Sequence, residues 1–229
     1  MSLTFNANEA RQADRTNQAI KISGKFVGII TRAEKLLSKQ NTEGLGLSFK
    51  TDDGQTANYL DLYTVNSKGE TLPSMATVQA IMCCTKTREA KEGNIQFEKW
   101  DSDAKAMVKA SANGYPDLMG KRIGFLLQQE LSDNPNNSDK PNDRVIIYGV
   151  FEADTELTAS EILDKKTQPE KLEKMLTALM AKPINDRRTS KSQSSNSNQS
   201  QAKSPSGMHD IDEEIPFANP YARRVCYVV

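Results

Sequence analysis

With 229 residues, 37% of them hydrophobic and 26% charged, the chain can form one sizeable domain with tails or two small domains. Lys and Arg total 30, as do Asp and Glu, so a globally basic nucleic-acid binder is excluded and any such surface must be a local stripe. No apolar run approaches the roughly 20 residues that span a bilayer, so no membrane association is expected. Met1-Ser2-Leu3-Thr4-Phe5-Asn6 lacks the charged-then-apolar order of a secretory signal, and a cytoplasmic protein is expected.

Residues 1–18 read as a polar N-terminal extension, with a short helical stretch from Asn8 to Ala19. Ala19 to Thr31 reads as a strand carrying Ile20, Ile22, Phe26, Ile29 and Ile30, with Gly24 and Gly28 marking a bulge or bend. Gly44 to Lys50 alternates strictly, placing Leu45, Leu47 and Phe49 on one face. The turn Asp52-Asp53-Gly54 leads into a strand from Gln55 to Val65. There Ala57, Tyr59, Asp61 and Tyr63 are expected opposite Leu60, Leu62 and Thr64. Pro73 opens a helix through Met75, Val78, Ile81 and Met82.

Gly93 to Trp100 and Ala104 to Ala110 suggest a hairpin, and Lys121 to Leu131 and Arg144 to Asp154 suggest two longer strands. Between the latter runs a Pro/Asn/Ser/Asp loop, Ser132 to Asp143. Thr158-Ala159-Ser160-Glu161 is a capping signature, and Leu172, Met175, Leu176, Leu179 and Met180 keep a helical period.

The body is thus expected over residues 19–182, with a linker over 183–209. Its stretch from Arg187 to Gly207 is too polar to repay ordering and is expected to be disordered. The tail from Asp186 onward carries Arg187, Arg188, Lys191, Lys203, Arg223 and Arg224 against Asp186, Asp210, Asp212, Glu213 and Glu214, so the body without it stays near neutral. Cys83 and Cys84 are adjacent and Cys226 is remote, so no disulfide framework is expected. His209 is the sole histidine and no Cys-x-x-Cys occurs, so no metal or other cofactor is expected.

Residues 210–217 read Asp210-Ile211-Asp212-Glu213-Glu214-Ile215-Pro216-Phe217. Four carboxylates would steer this segment to a basic surface, where Ile215 and Phe217 fill an apolar notch and Pro216 keeps the backbone extended. The layout resembles the tail of bacterial and phage single-stranded DNA-binding proteins, in which a globular domain carries a disordered arm tipped with acids and Ile-Pro-Phe. One departure is plain: in that family the Phe usually ends the chain, whereas here a terminal extension, residues 218–229, follows. Its Arg224-Val225-Cys226-Tyr227-Val228-Val229 has strand character, suited to a sheet edge. The resemblance implies single-stranded DNA and replication, recombination or repair proteins as partners, self-association, and residence in the host cytoplasm if a phage encodes the chain.

The strand, helix and strand order suits a mainly β fold, an OB-like Greek-key barrel with one or two helices. A β-sandwich, or an open sheet with helices on one face, also accounts for the pattern, and the tail's resemblance points to the barrel. Single-strand binding needs cations along the phosphates and aromatic faces for the bases, each stacked base contributing about 1–3 kcal/mol. The first strands offer Lys21, Lys25, Arg32 and Lys50, with Tyr59 and Tyr63 four residues apart on one strand face, about 13 Å from each other. A second cluster holds Lys86, Arg88, Lys91, Phe97, Lys99, Trp100, Lys105 and Lys109, diluted by Glu89, Glu92, Glu98, Asp101 and Asp103. Lys121 and Arg122 could touch phosphates or be ordinary strand-end cations. Tyrosines packed at the core rim, or a tryptophan plugging a barrel mouth, are the competing readings of the aromatics.

No phosphate-binding loop or nucleophile elbow is present, and an enzyme is not expected. Asp52-Asp53 and Asp101-x-Asp103 fit turns better than a nuclease's magnesium site. The function expected is coating of single-stranded DNA with little sequence preference, with the acidic segment recruiting partner enzymes. An adaptor that binds no DNA, favoured by the neutral body, and a strand-annealing recombination protein are the rival readings.

Overall fold

The computed structural model describes residues 19–101, 106–134 and 140–189, without the side chains of 100, 101, 106 and 107. Outside the described residues lie the N-terminal extension, Lys105, the Trp100 side chain and the acidic segment Asp210, Asp212, Glu213, Glu214, Ile215, Pro216 and Phe217. The terminal extension lies outside them too.

The described chain is mainly β, as expected. Eight strands form one sheet: β1 (Gly24–Leu37), β2 (Glu43–Thr51), β3 (Thr56–Val65), β4 (Gly93–Asp101), β5 (Ala106–Gly114), β6 (Arg122–Ser132), β7 (Asn142–Phe151) and β8 (Ile184–Asp186). Helix α1 (Ser74–Cys84) follows β3, and α2 (Ala159–Leu163) and α3 (Lys171–Ala181) follow β7. All ladders are antiparallel except that of β8 on β6. Among the described residues no helix is long and apolar enough to cross a membrane.

β1 organises the sheet. From Gly28 to Leu37 it pairs with β2, its first half pairs also with β6, and Glu34 pairs with Gly114 of β5. The sequence ends this strand at Thr31 because Arg32-Ala33-Glu34-Lys35-Leu36-Leu37 is made of helix formers. Continuous pairing with β2 overrides that local preference. Gly28 sits where β1 passes closest to its neighbour: a Cβ there would lie 2.1 Å from the Lys50 carbonyl oxygen. The irregularity expected at the glycines instead falls between Ile30 and Arg32, where Thr31 is the extra residue. This slip keeps Ile30 and Ala33 in the core and puts Arg32 opposite Ser48, on the face away from it.

A second slip lies in β3. Leu47 opposes Leu60 and Phe49 opposes Ala57, so Ser48 faces two residues, Asn58 and Tyr59. Tyr59 adopts φ +60°, the left-handed region that a side chain disfavours. Ala57, expected beside Tyr59, Asp61 and Tyr63, is thereby turned into the core, while Tyr59 stays outside at 60% exposure and Tyr63 at 39%.

The main core gathers Ile30, Leu45, Leu47, Phe49, Leu60, Leu62, Ile81, Ile123, Phe125 and Leu127. Phe49 and Phe125 meet edge to face at 5.0 Å, and burying each such ring stabilises by about 1.5–3 kcal/mol. A second layer lies over the outer face of β6 and β7, where α3 sets Leu172 and Leu179 on Leu126 and Phe151, with Val27 of β1 beside them. No ladder joins β3 to β7 among the described residues, so the sheet is open there. A cavity of about 240 Å³ lies along this seam, between Tyr59–Leu62 and Val145–Ile147.

The chain does not leave the body at Lys182. The Lys182 carbonyl accepts from Gln128 at 2.8 Å, the Pro183 carbonyl accepts from Ser23, and Ile184–Asp186 pair with Gln129 to Leu131. Residues 183–189, read from sequence as linker, are therefore a last strand and its continuation, too short and polar to show a period.

Candidate nucleic-acid interface

The outward positions of β1, β2 and β3 form one surface. On β2 these are Gly44, Gly46 and Ser48, all buried beneath longer neighbours. A Cβ at Gly46 would come within 3.0 Å of Leu36, and one at Gly44 within 2.8 Å of the Leu62 carbonyl. The small β2 residues therefore form a floor, and Arg32, Tyr59, Asp61 and Tyr63 stand around it.

Arg32 is the centre of this surface and not the solvent-facing phosphate cation expected. It is 8% exposed, with Cζ 5.3 Å from the Tyr59 ring and 5.4 Å from the Phe97 ring. The two rings arrive from opposite sides, since the sheet order runs β3-β2-β1-β5-β4. Cation–π attraction of this kind contributes about 0.5–2 kcal/mol. Nη1 donates to Glu34 at 3.2 Å, while Nε is the one buried side-chain nitrogen or oxygen without a partner among the described residues. Burial raises the Asp61 carboxyl above its ordinary range, against the pull of Arg32 and Arg144. Lys99 shares the Phe97 face of β4, Lys50 the Ser48 face of β2, and both are exposed.

Lys86, Arg88 and Lys121 converge on a separate open cleft of about 540 Å³ with Glu89 and Asp117 in its wall. Lys86 reaches Glu152 at 2.7 Å, and this bond, helped by Thr155, holds the Glu152 carboxyl below the usual range. Two expected contacts are otherwise engaged. Lys25 pairs with Glu156 and lies 5.6 Å over the Phe151 ring, at the helix-covered end of β1. Arg122 bridges Asp52 and Asp154 at 2.7 Å each, which raises its own pKa, chiefly through Asp52. Lys21 is exposed ahead of β1, and Trp100 lies in β4 opposite Met107.

Sequence reasoning missed the seam. Glu130 is 2% exposed, yet its carboxylate accepts from Arg144 at 2.6 and 3.0 Å and from Asn185 at 3.0 Å, and Arg187 stands at 3.2 Å. The signal was a carboxylate, Glu130, within the strand pattern of Lys121 to Leu131, since a charge buried in a sheet requires partners. Asp53 accepts from Thr51 and Gln55, so its carboxylate belongs to the turn. Burial, with Cys83 and Glu152, pushes the Cys84 thiol up to about 12, leaving it protonated at neutral pH.

The geometry offers two aromatic faces, a guanidinium between them and flanking lysines, a surface suited to stacking more than to charge. Neither a protein-family model nor a curated protein matches this chain.

Proposed function

We propose that the chain is a single-stranded DNA-binding protein. Its body, of OB-like Greek-key type, coats exposed strands, and its acidic Ile-Pro-Phe segment recruits replication, recombination or repair enzymes. The observation that carries this reading is the convergence of Tyr59 and Phe97 on Arg32 across β1. Aromatic faces set beside cations are what sequence-tolerant stacking of bases requires. The OB-like assignment rests on β1 being shared between the β2–β3 meander and the β6–β7 hairpin, with α1 intervening and β3 and β7 facing each other across the seam. Because one such body covers few nucleotides, coating implies association of several copies.

Titrating a labelled oligothymidine by fluorescence anisotropy, at low and high salt, tests the reading. The full chain is compared with one ending at Thr189, which keeps β8. Binding that weakens with salt and survives truncation is expected; no binding by either form at low salt overturns it. An adaptor that binds protein and not DNA is the second reading. It is favoured by the carboxylate partners of Lys25, Lys35, Lys86, Arg122 and Arg144, which leave the surface close to neutral.

A further inference from the structure

Arg32 carries a hydrogen-bond donor that the fold does not use. A buried polar group is normally partnered, and leaving one unmade is costly enough that an exception calls for an explanation. Here Nε has no acceptor, although Nη1 donates to Glu34 and the Tyr59 and Phe97 rings lie 5.3 and 5.4 Å from Cζ.

We propose that Arg32 is a base-reading residue: its free N–H edge takes the paired acceptors of a guanine, O6 and N7, while Tyr59 and Phe97 hold that base by stacking. The inference rests on the single-stranded DNA reading and names a specificity for one subsite of that surface.

The side-on edge of a guanidinium, Nε with Nη2, presents two parallel N–H groups. Of the groups that a DNA strand offers, a guanine's major-groove edge and a phosphate's oxygen pair match that spacing. Local charge separates them. Arg32 already faces the Glu34 carboxylate at 3.2 Å, and Asp61 stands close enough for Arg32 to pull its carboxyl down. An incoming phosphate would meet these two anions at a cation they already neutralise, whereas a neutral base edge needs only the directed N–H. The rings favour the same choice, since a base in the guanidinium plane extends between aromatic faces and a phosphate gains nothing from them. Tyr59 supplies the entrance. It is 60% exposed and sits on a bulge, so its ring can swing from the guanidinium onto the arriving base without disturbing the core.

The test uses the full chain and labelled oligothymidines that carry no guanine, one guanine, or one 7-deazaguanine, which lacks the N7 acceptor. Anisotropy titrations are run at several salt concentrations on the unaltered protein and on Arg32→Lys, which keeps the charge and loses the side-on edge. The unaltered protein is expected to prefer the guanine strand by about tenfold and to lose most of that preference with 7-deazaguanine. Arg32→Lys is expected to abolish the preference, so that strands with and without guanine bind the variant alike.

Equal affinity for all three strands overturns the proposal while leaving the single-stranded DNA reading intact. So does an Arg32→Lys effect that is uniform across strands and lowers the salt slope by about one, which marks a phosphate contact. No binding of any strand at low salt overturns both. The 7-deazaguanine comparison needs no variant, so the outcome does not depend on Arg32→Lys folding.

Discussion

The two ends of β1 carry the same kind of contact to opposite purposes. At the first end the outward Lys25 lies over the Phe151 ring with Glu156 beside it, and α3 lays Leu172 and Leu179 across Leu126 and Phe151. At the second end the outward Arg32 lies under Tyr59 and Phe97, and no helix covers it among the described residues. The helix-covered end is completed by the chain itself. The other end keeps exposed aromatics and an unmet donor, which is how a surface looks when its complement comes from another molecule.

Substituting one ring at each end sharpens the contrast most. Phe151 is fully buried, and Phe151→Ala is expected to cost about 3–5 kcal/mol in urea unfolding, with oligonucleotide affinity unchanged wherever the protein stays folded. Phe97→Ala is expected to do the reverse, costing under about 1 kcal/mol of stability and about 1–3 kcal/mol of oligonucleotide binding. Equal effects of both on unfolding would mean that Phe97 is a core ring and would erase the distinction.

The helix-covered end also depends on one carboxylate. Glu161 is fully buried and one of its oxygens accepts from the Thr158 N–H and hydroxyl at 2.9 and 2.8 Å. The other accepts from the Glu170 and Lys171 N–H groups at 2.7 and 2.8 Å, at the start of α3. Glu161 thus closes the capping box of α2 and fastens the N-terminus of the helix that covers β1. Burial alone would raise its pKa, but these four donors outweigh burial and hold it at about 2, against an ordinary 4.5.

A carboxyl depressed on folding contributes stability that is complete above its unfolded value and lost as pH falls. Thermal unfolding should therefore be steady above pH 4.5 and weaken progressively toward about pH 2. Glu161→Gln is expected to lower stability at neutral pH by about 2 kcal/mol and to flatten the acid limb. An unchanged acid limb would assign that loss to other groups.

Much of this was legible in the sequence. The alternation at Leu45, Leu47 and Phe49, the Asp52-Asp53-Gly54 turn, the helix after Pro73 and the cap at Thr158 to Glu161 are local signals, and each appears where its residues place it. Two slips, at Thr31 and at Asn58-Tyr59, were not legible, because a bulge depends on the register of a partner strand. The candidate site inherited that blind spot. Tyr59 and Phe97 could be named from their type, but their meeting over Arg32 joins β3, β1 and β4, and no window of sequence contains that contact. Charge misled most. Lys25 and Arg122 looked free only because Glu156, Asp52 and Asp154 are distant in the chain.

The smallest expected stability change tests why Tyr59 is held where it is. At φ +60° a tyrosine occupies a region that glycine enters without penalty. The β3 bulge imposes this backbone geometry, but a ring 60% exposed gives the fold itself little reason to place tyrosine there instead of glycine. Tyr59→Gly relieves the backbone and adds chain entropy to the unfolded state, effects of opposite sign of about 1 kcal/mol each, so a change in unfolding free energy within about 0.5 kcal/mol is expected. Oligonucleotide affinity should nonetheless fall by about 1–3 kcal/mol, because a stacking face is gone. Tyr59→Phe retains that face and should bind nearly as the unaltered chain does. Affinity preserved in Tyr59→Gly would place the working surface elsewhere, most simply in the cleft of Lys86, Arg88 and Lys121, and would leave the strain at Tyr59 as a consequence of the β3 bulge alone.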